Sequence, residues 1–127
     1  MPEKLDVVVV IDDAATGDAL KFLLELEGLV VGLLDSASTT ATDPRLADCG
    51  CIVVDSGVST MDGAALVAEL RAGQVTAPVI LLAGSLSVEL RDRCVRAGIR
   101  MILPMPIMDR SLHDAIAAAL GGSGAPP

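Results

Sequence analysis

The stretch Val7-Val8-Val9-Val10-Ile11-Asp12-Asp13 decides the fold. Five consecutive β-branched apolar residues leave no polar face. Such a run reads as a strand buried on both sides, the pattern of a parallel sheet covered by helices. Cys51-Ile52-Val53-Val54-Asp55 repeats the pattern and again ends in a carboxylate. Leu29–Leu34, Pro78–Ala83 and Met101–Leu103 supply three further short apolar runs. The intervening segments read as helices. The first covers Asp18–Glu27 and stops at Gly28; a weak one covers 37–48, with Pro44 opening its firmer part. Asp62 caps a helix over Gly63–Ala72 with Leu66, Val67 and Leu70 facing inward. Ser87–Ala97 ends at Gly98, and Asp109–Leu120 carries Leu112, Ile116 and Ala119. Five such alternations predict an α/β domain, a single doubly wound sheet of five parallel strands with right-handed crossovers. It occupies residues 1–120, and 121–127 has the composition of a flexible tail or linker start.

The composition agrees and narrows the function. A chain of 127 residues with 52% apolar and 20% charged residues and a mean hydropathy of +0.62 builds a core and is not disordered. Nine Lys+Arg against seventeen Asp+Glu give a net charge of −8. An acidic field of this kind disfavours phosphate backbones, and Phe22, the sole aromatic residue, offers no base-stacking platform. Direct nucleic-acid contact is therefore not expected. No apolar run approaches the roughly 18 residues that a membrane span requires. Three cysteines, an odd number, and no signal peptide point to free thiols in the cytoplasm. Cys49-x-Cys51 is not a zinc spacing, and a distant His113 cannot complete a tetrahedral site. The cysteines read as small buried apolar residues, and His113 as a solvated polar-face residue.

In open α/β sheets, function gathers at the carboxyl ends of the strands. Asp12, Asp13 and Asp55 fall there. Neighbouring carboxylates repel, so a cation or a proton must offset them. Oxygen ligands of this kind suit Mg²⁺, and an Asp beside Mg²⁺ can accept a phosphoryl group. By spacing alone, the same residues also fit a set of solvated loop acids. An independent enzyme fits less well. A flavin site needs a Ser/Thr/Gly phosphate loop and aromatic residues, and Ile11-Asp12-Asp13-Ala14 is not the Asp-x-Asp of dehalogenase-type phosphatases.

From Leu5 to about Leu120 the chain resembles the receiver domain of two-component response regulators. The resemblance rests on the acids after the first strand, Val53-Val54-Asp55, Met61-Asp62-Gly63, Ala77-Pro78-Val79-Ile80 and Arg96-Ala97-Gly98, in that order and at those intervals. It implies a flavodoxin-like fold with strand order 2-1-3-4-5. It also implies that Asp55 is the phosphoacceptor, that Gly57 offers a backbone carbonyl to the metal, and that Pro106 is the cis proline after the fifth strand. The acid pair has two registers. Asp12 with Asp13 needs a one-residue deletion; the gapless match sets Ile11 on the first acid, Asp12 on the second and Asp13 on the next position, and is preferred.

Against the family pattern the chain is degenerate. The hydroxyl residue that ends the fourth strand is replaced by Ala83, the aromatic switch residue by Ile102, and the Lys that ends the fifth strand by Met105. Neither Ala83 nor Met105 can donate a hydrogen bond. Donors of this sort are worth on the order of a few kcal/mol each in the transition state, so phosphorylation is expected to be weak or absent. Mg²⁺ remains a possible cofactor of doubtful affinity. The implied role is signalling by protein contact in a phosphorelay rather than catalysis; the alternative is a conventional phosphoacceptor receiver using Asp55 with Mg²⁺. The implied partners are a sensor histidine kinase or phosphotransfer protein, and an output domain beyond the C-terminus. A homodimer would use the fourth helix, fifth strand and fifth helix, where Arg91, Arg93, Arg96 and Arg100 form a basic stripe.

Overall fold

The computed structural model describes residues 5–34, 44–55, 63–84, 87–104 and 110–121. Five strands, β1 (Val7–Val10), β2 (Val31–Leu34), β3 (Cys51–Asp55), β4 (Val79–Ala83) and β5 (Met101–Pro104), form one parallel sheet in the order β2-β1-β3-β4-β5. The solid apolar runs occupy the three central positions. β1, β3 and β4 are buried along their lengths, apart from half-buried Asp55. Strand β5 lies at an edge with Met101 and Pro104 exposed, and Pro is tolerated there because no further strand needs its missing N–H.

Side chains alternate between the two faces of each strand, so the sheet divides the core in two. Val8, Val10, Ile52, Val54, Val79 and Leu81 face one layer, where α2 (Gly63–Ala72) buries Leu66, Val67 and Leu70, and α3 (Val88–Ala97) buries Cys94. Val7, Val9, Cys51, Val53, Ile80 and Leu82 face the other, covered by Leu24 of α1 (Ala14–Leu26) and by Leu112, Ile116 and Ala119 of α4 (Ser111–Gly121). Full burial of each Leu or Ile contributes about 1.5–3 kcal/mol, so the two layers hold the sheet between them. Two close approaches fix the layers. A Cβ at Gly17 would lie 2.9 Å from Ile11 Cγ2; one at Gly50 would collide with Leu120 of α4 and meet the Asp6 carbonyl at 3.0 Å.

The expected strands and helices recur with shifted ends. Helix α1 begins four residues before the expected Asp18, because Asp13 caps it: the carboxylate accepts from Ala15 N at 3.1 Å and Thr16 Oγ1 at 2.8 Å. Strand β2 starts at Val31 rather than Leu29, since the chain is still leaving the Gly28 turn, where φ is +87°. Within the expected helix over 37–48, the described part holds only a 3₁₀ turn, Pro44–Ala47; the rest lies outside the described residues. Helix α3 begins after Ser87, whose hydroxyl accepts from Leu90 N, and closes at Gly98 with φ +99°. Asp62, the expected cap of α2, lies outside the described residues. Helix α4 starts at Ser111, and Asp109 is likewise outside.

His113 departs from expectation more sharply. It is half-buried, and its Nδ1 is sealed from solvent with no hydrogen-bond partner among the described residues. The reason is its stripe on α4: it lies three and seven residues before Ile116 and Leu120, and with them lines a cavity of about 190 Å³ beside Glu27 and Arg110. The Arg110 guanidinium donates to Glu27 at 2.8 Å and joins the end of α1 to the start of α4. All three cysteines are buried free thiols, as their residue type suggested.

Candidate functional site at the sheet rim

The register of the central strands sets the site. Val10 pairs with Val54, and Asp55 pairs with Leu82 of β4. Asp55 is therefore the last residue of β3, half-buried at the carboxyl rim. Ile11 and Asp12 follow Val10 on the neighbouring strand and leave the sheet at the same rim. The two differ in environment. Ile11 is 4% exposed and packs into the α1 layer, whereas Asp12 is exposed.

Asp13 is engaged elsewhere. Besides accepting from the Ala15 amide and the Thr16 hydroxyl, it takes a long bond from the Thr16 amide at 3.5 Å. The hydroxyl bond above all, then the amides, holds its carboxyl below the usual carboxylate range. A carboxylate at the first turn also complements the helix dipole. Its capping role went unread in the sequence, although an Asp immediately before Ala14-Ala15-Thr16 is a helix-start signal.

The other positions are apolar where described. Ala83 ends β4, one residue beyond Leu82, and is 4% exposed; Ile102 of β5 is half-buried against the α2/α3 layer. A methyl group and a branched alkyl chain offer no hydrogen to an incoming anion. Gly57, Met105 and Pro106 lie outside the described residues.

Among the described residues, no group of three or more His, Cys, Asp or Glu side chains is placed to hold a metal ion. Asp12, two residues past the end of β1, and Asp55, the last residue of the adjacent strand β3, give two carboxylates. That is the number from which Mg²⁺ sites are commonly built, with waters completing the octahedron, so the donor chemistry fits a sparse site. Also among the described residues, no helix is long and apolar enough to cross a membrane.

A family model described as the response regulator receiver domain matches residues 7–117. The transcriptional regulatory protein FixJ of Azorhizobium caulinodans is 36% identical over 123 residues, covering 97% of this chain and 58% of the relative. The response regulator protein TodT of Pseudomonas putida is 28% identical over 121 residues, covering 94% and 53%. Among solved structures, full-length FixJ from B. japonicum superposes with a TM-score of 0.81 at 30% identity, over 94% of this chain and 59% of that one. A receiver domain protein from Clostridium thermocellum matches with a TM-score of 0.80 at 21% identity, over 91% and 93%, a likeness of fold alone. The chain thus spans little more than half the length of the curated relatives it matches.

Proposed function

Because the chain belongs to the response regulator receiver domain family, we propose that it is an atypical receiver in a two-component phosphorelay, with weak or absent phosphorylation of Asp55, acting through protein contacts. The observation that carries this reading is Ala83: the residue ending β4 beside the Asp55 strand is a buried methyl group with no hydrogen to donate. Ile102 supports it, since an aliphatic side chain packed on the core has no ring to rotate in response to a distal hydroxyl. A modification without differential contacts in two conformations cannot shift their populations.

Asp12 and Asp55 would hold Mg²⁺, with the Gly57 carbonyl as a further ligand and Asp13 able to help only by leaving its cap. The metal would neutralise charge on a phosphoryl oxygen. Phosphorylation would come from a histidine kinase or a phosphotransfer protein. The chain does no further chemistry and works in the cytoplasm. Residues 1–120 are the receiver unit and 121–127 a tail or the start of a linker. In a longer protein this linker would lead to an output domain, in keeping with the extra length of its relatives. The surface of α3, β5 and α4, with Arg91, Arg93, Arg96 and Arg100, is its protein-contact face, including contact with a second copy.

The second reading, a conventional phosphoacceptor, is favoured by the position of Asp55 at the end of a central strand. One assay separates them. The protein and Asp55→Asn are incubated with Mg²⁺ and a small phosphodonor, and intact masses are recorded over time. We expect little or no phosphate adduct on either. An adduct on most molecules of the wild type, lost in Asp55→Asn, refutes the atypical reading.

A further inference from the structure

At the amino end of the sheet, away from the acidic rim, a cavity of about 500 Å³ is lined by Arg71, Thr76, Pro78, Gly98, Arg100 and Ala119. Pro78 stands four residues before Leu82, the partner of Asp55, which is about 13 Å along the strand. The two charged groups in this wall are both guanidinium groups, and no acidic side chain joins them among the described residues. Elsewhere the walls carry acids. Glu27 and Asp114 line the cavity beside α4, and Asp13 and Asp18 line one beside α1. In a chain of net charge −8, a concave surface with two arginines and no acid runs against the average of the molecule.

The local fold fixes both arginines. After α2 the chain turns back through Gln74, with φ +67°, and Val75 N donates to Leu70 O. The Val75 and Ala77 carbonyls of this return both accept from Arg71 Nη1, at 2.8 and 3.0 Å. Those two bonds use the hydrogens of Nη1 and hold the half-buried guanidinium in place. The three hydrogens on Nε and Nη2 have no partner among the described residues. Arg100 is anchored by its backbone, whose N–H donates to Val79 O at 2.8 Å at the start of β4. Its side chain is exposed and makes no hydrogen bond or ion pair among the described residues. Capping of carbonyls therefore accounts for Arg71 Nη1 alone. Of the four arginines assigned above to the contact face, only Arg100 lines this cavity.

The geometry points to an anion site: Arg71 and Arg100, with the Thr76 hydroxyl, hold the phosphate group of a small molecule at the amino end of the sheet. Two positive charges call for a dianion. Two guanidinium forks and a hydroxyl also offer more donors than the two oxygens of a carboxylate can accept, whereas a phosphate group presents at least three. The cavity is of the size that takes a small molecule, roughly 300–1,000 Å³. Pro78, Gly98 and Ala119 offer no ring on which a base could stack, so charge and the donor pattern carry the recognition. Thr76 and Arg100 are exposed, so solvent and salt weaken the attraction and binding is millimolar rather than tight. The site is separate from the rim and does not depend on phosphorylation of Asp55.

The test is a titration of the full chain followed by its amide resonances in nuclear magnetic resonance, at constant ionic strength and with a chelator present to exclude metal-bridged phosphate at the rim. The probes are inorganic phosphate, glycerol phosphate and acetate. The Thr76, Gly98 and Arg100 amides should shift and saturate with a phosphate probe and move little with acetate. Arg100→Gln changes an exposed side chain without a partner, so the fold is kept, and it should weaken binding about tenfold. Arg91→Gln, equally exposed but outside the cavity, should bind as the wild type does. Tighter binding of glycerol phosphate assigns the site to a phosphate ester, and tighter binding of inorganic phosphate to the free anion; both support it. Shifts that do not saturate, or Arg91→Gln weakening binding as much as Arg100→Gln, would show a general attraction of charge and overturn the inference. Acetate binding as well as phosphate overturns it too.

Discussion

Replacing Gly17 by alanine should destabilise the protein, although alanine is the better helix former. In the interior of a helix the exchange normally gains about 1 kcal/mol. At Gly17 the new methyl group would lie 2.9 Å from Ile11 Cγ2, with Leu33 Cδ2 at 3.7 Å and Leu33 Cδ1 at 3.8 Å behind it. Ile11 is 4% exposed and β-branched, so its methyl has little freedom to turn away. Overpacking of a tight core costs about 1–3 kcal/mol, which leaves a net loss of up to ~2 kcal/mol. Ile11→Ala removes Cγ2 and itself costs about 2–5 kcal/mol. In that background Gly17→Ala should turn stabilising by about 1 kcal/mol or more, because the propensity gain survives and the clash does not. The coupling read from the four proteins should therefore be about 1–3 kcal/mol. Urea titrations followed by far-ultraviolet circular dichroism measure it. If Gly17→Ala raises the midpoint equally with Ile11 and with Ala at position 11, the packing of Ile11 under α1 is refuted.

Two further outcomes concern charge and burial. The Arg110 hydrogen bond, then its charge, holds the Glu27 carboxyl below its ordinary value of 4.5. A carboxyl lowered in the folded state contributes stability above its unfolded value and loses it as the pH falls through the lower folded value. Glu27→Gln should therefore be less stable than the wild type at neutral pH, and the gap in urea midpoint should close below about pH 4.5; a gap that persists in acid contradicts the bridge. Burial pushes the Cys51 thiol up to about 12 and raises that of Cys49. Native protein at mildly alkaline pH should leave a thiol reagent nearly unconsumed, and all three cysteines should react in denaturant; rapid labelling of the folded state would show the β3 layer to be open.

How much of this was readable in the sequence follows from which forces set each element. β1, β3 and β4 were legible because strands covered on both faces tolerate only apolar residues. The ends of α3 were legible because Ser87 and Gly98 make their caps locally. The start of α1 was not. As two acids after a strand, Asp12 and Asp13 look alike; only the helix-start signal of an Asp before Ala14-Ala15-Thr16 separates the carboxylate folded back on Ala15 and Thr16 from the one at the rim. Strand β2 read two residues too long because Leu29 and Val30 are apolar yet still within the exit from Gly28. The half-burial of His113 is not legible locally, because it shares a cavity with Glu27, 86 residues earlier, and with Arg110, which donates to Glu27. At the site, the positions of Asp55 and Ala83 follow from strand register and were foreseeable.

The last helix closes the α1 layer of the sheet, with Leu112, Ile116 and Ala119 over the central strands and Leu120 against Gly50. During synthesis this makes completion abrupt. All five strands are synthesised before the segment that roofs Cys51 and Val53, so a sheet that pairs before this helix docks keeps part of one apolar flank bare. That interval is when holdase chaperones or a neighbouring nascent chain would compete for it.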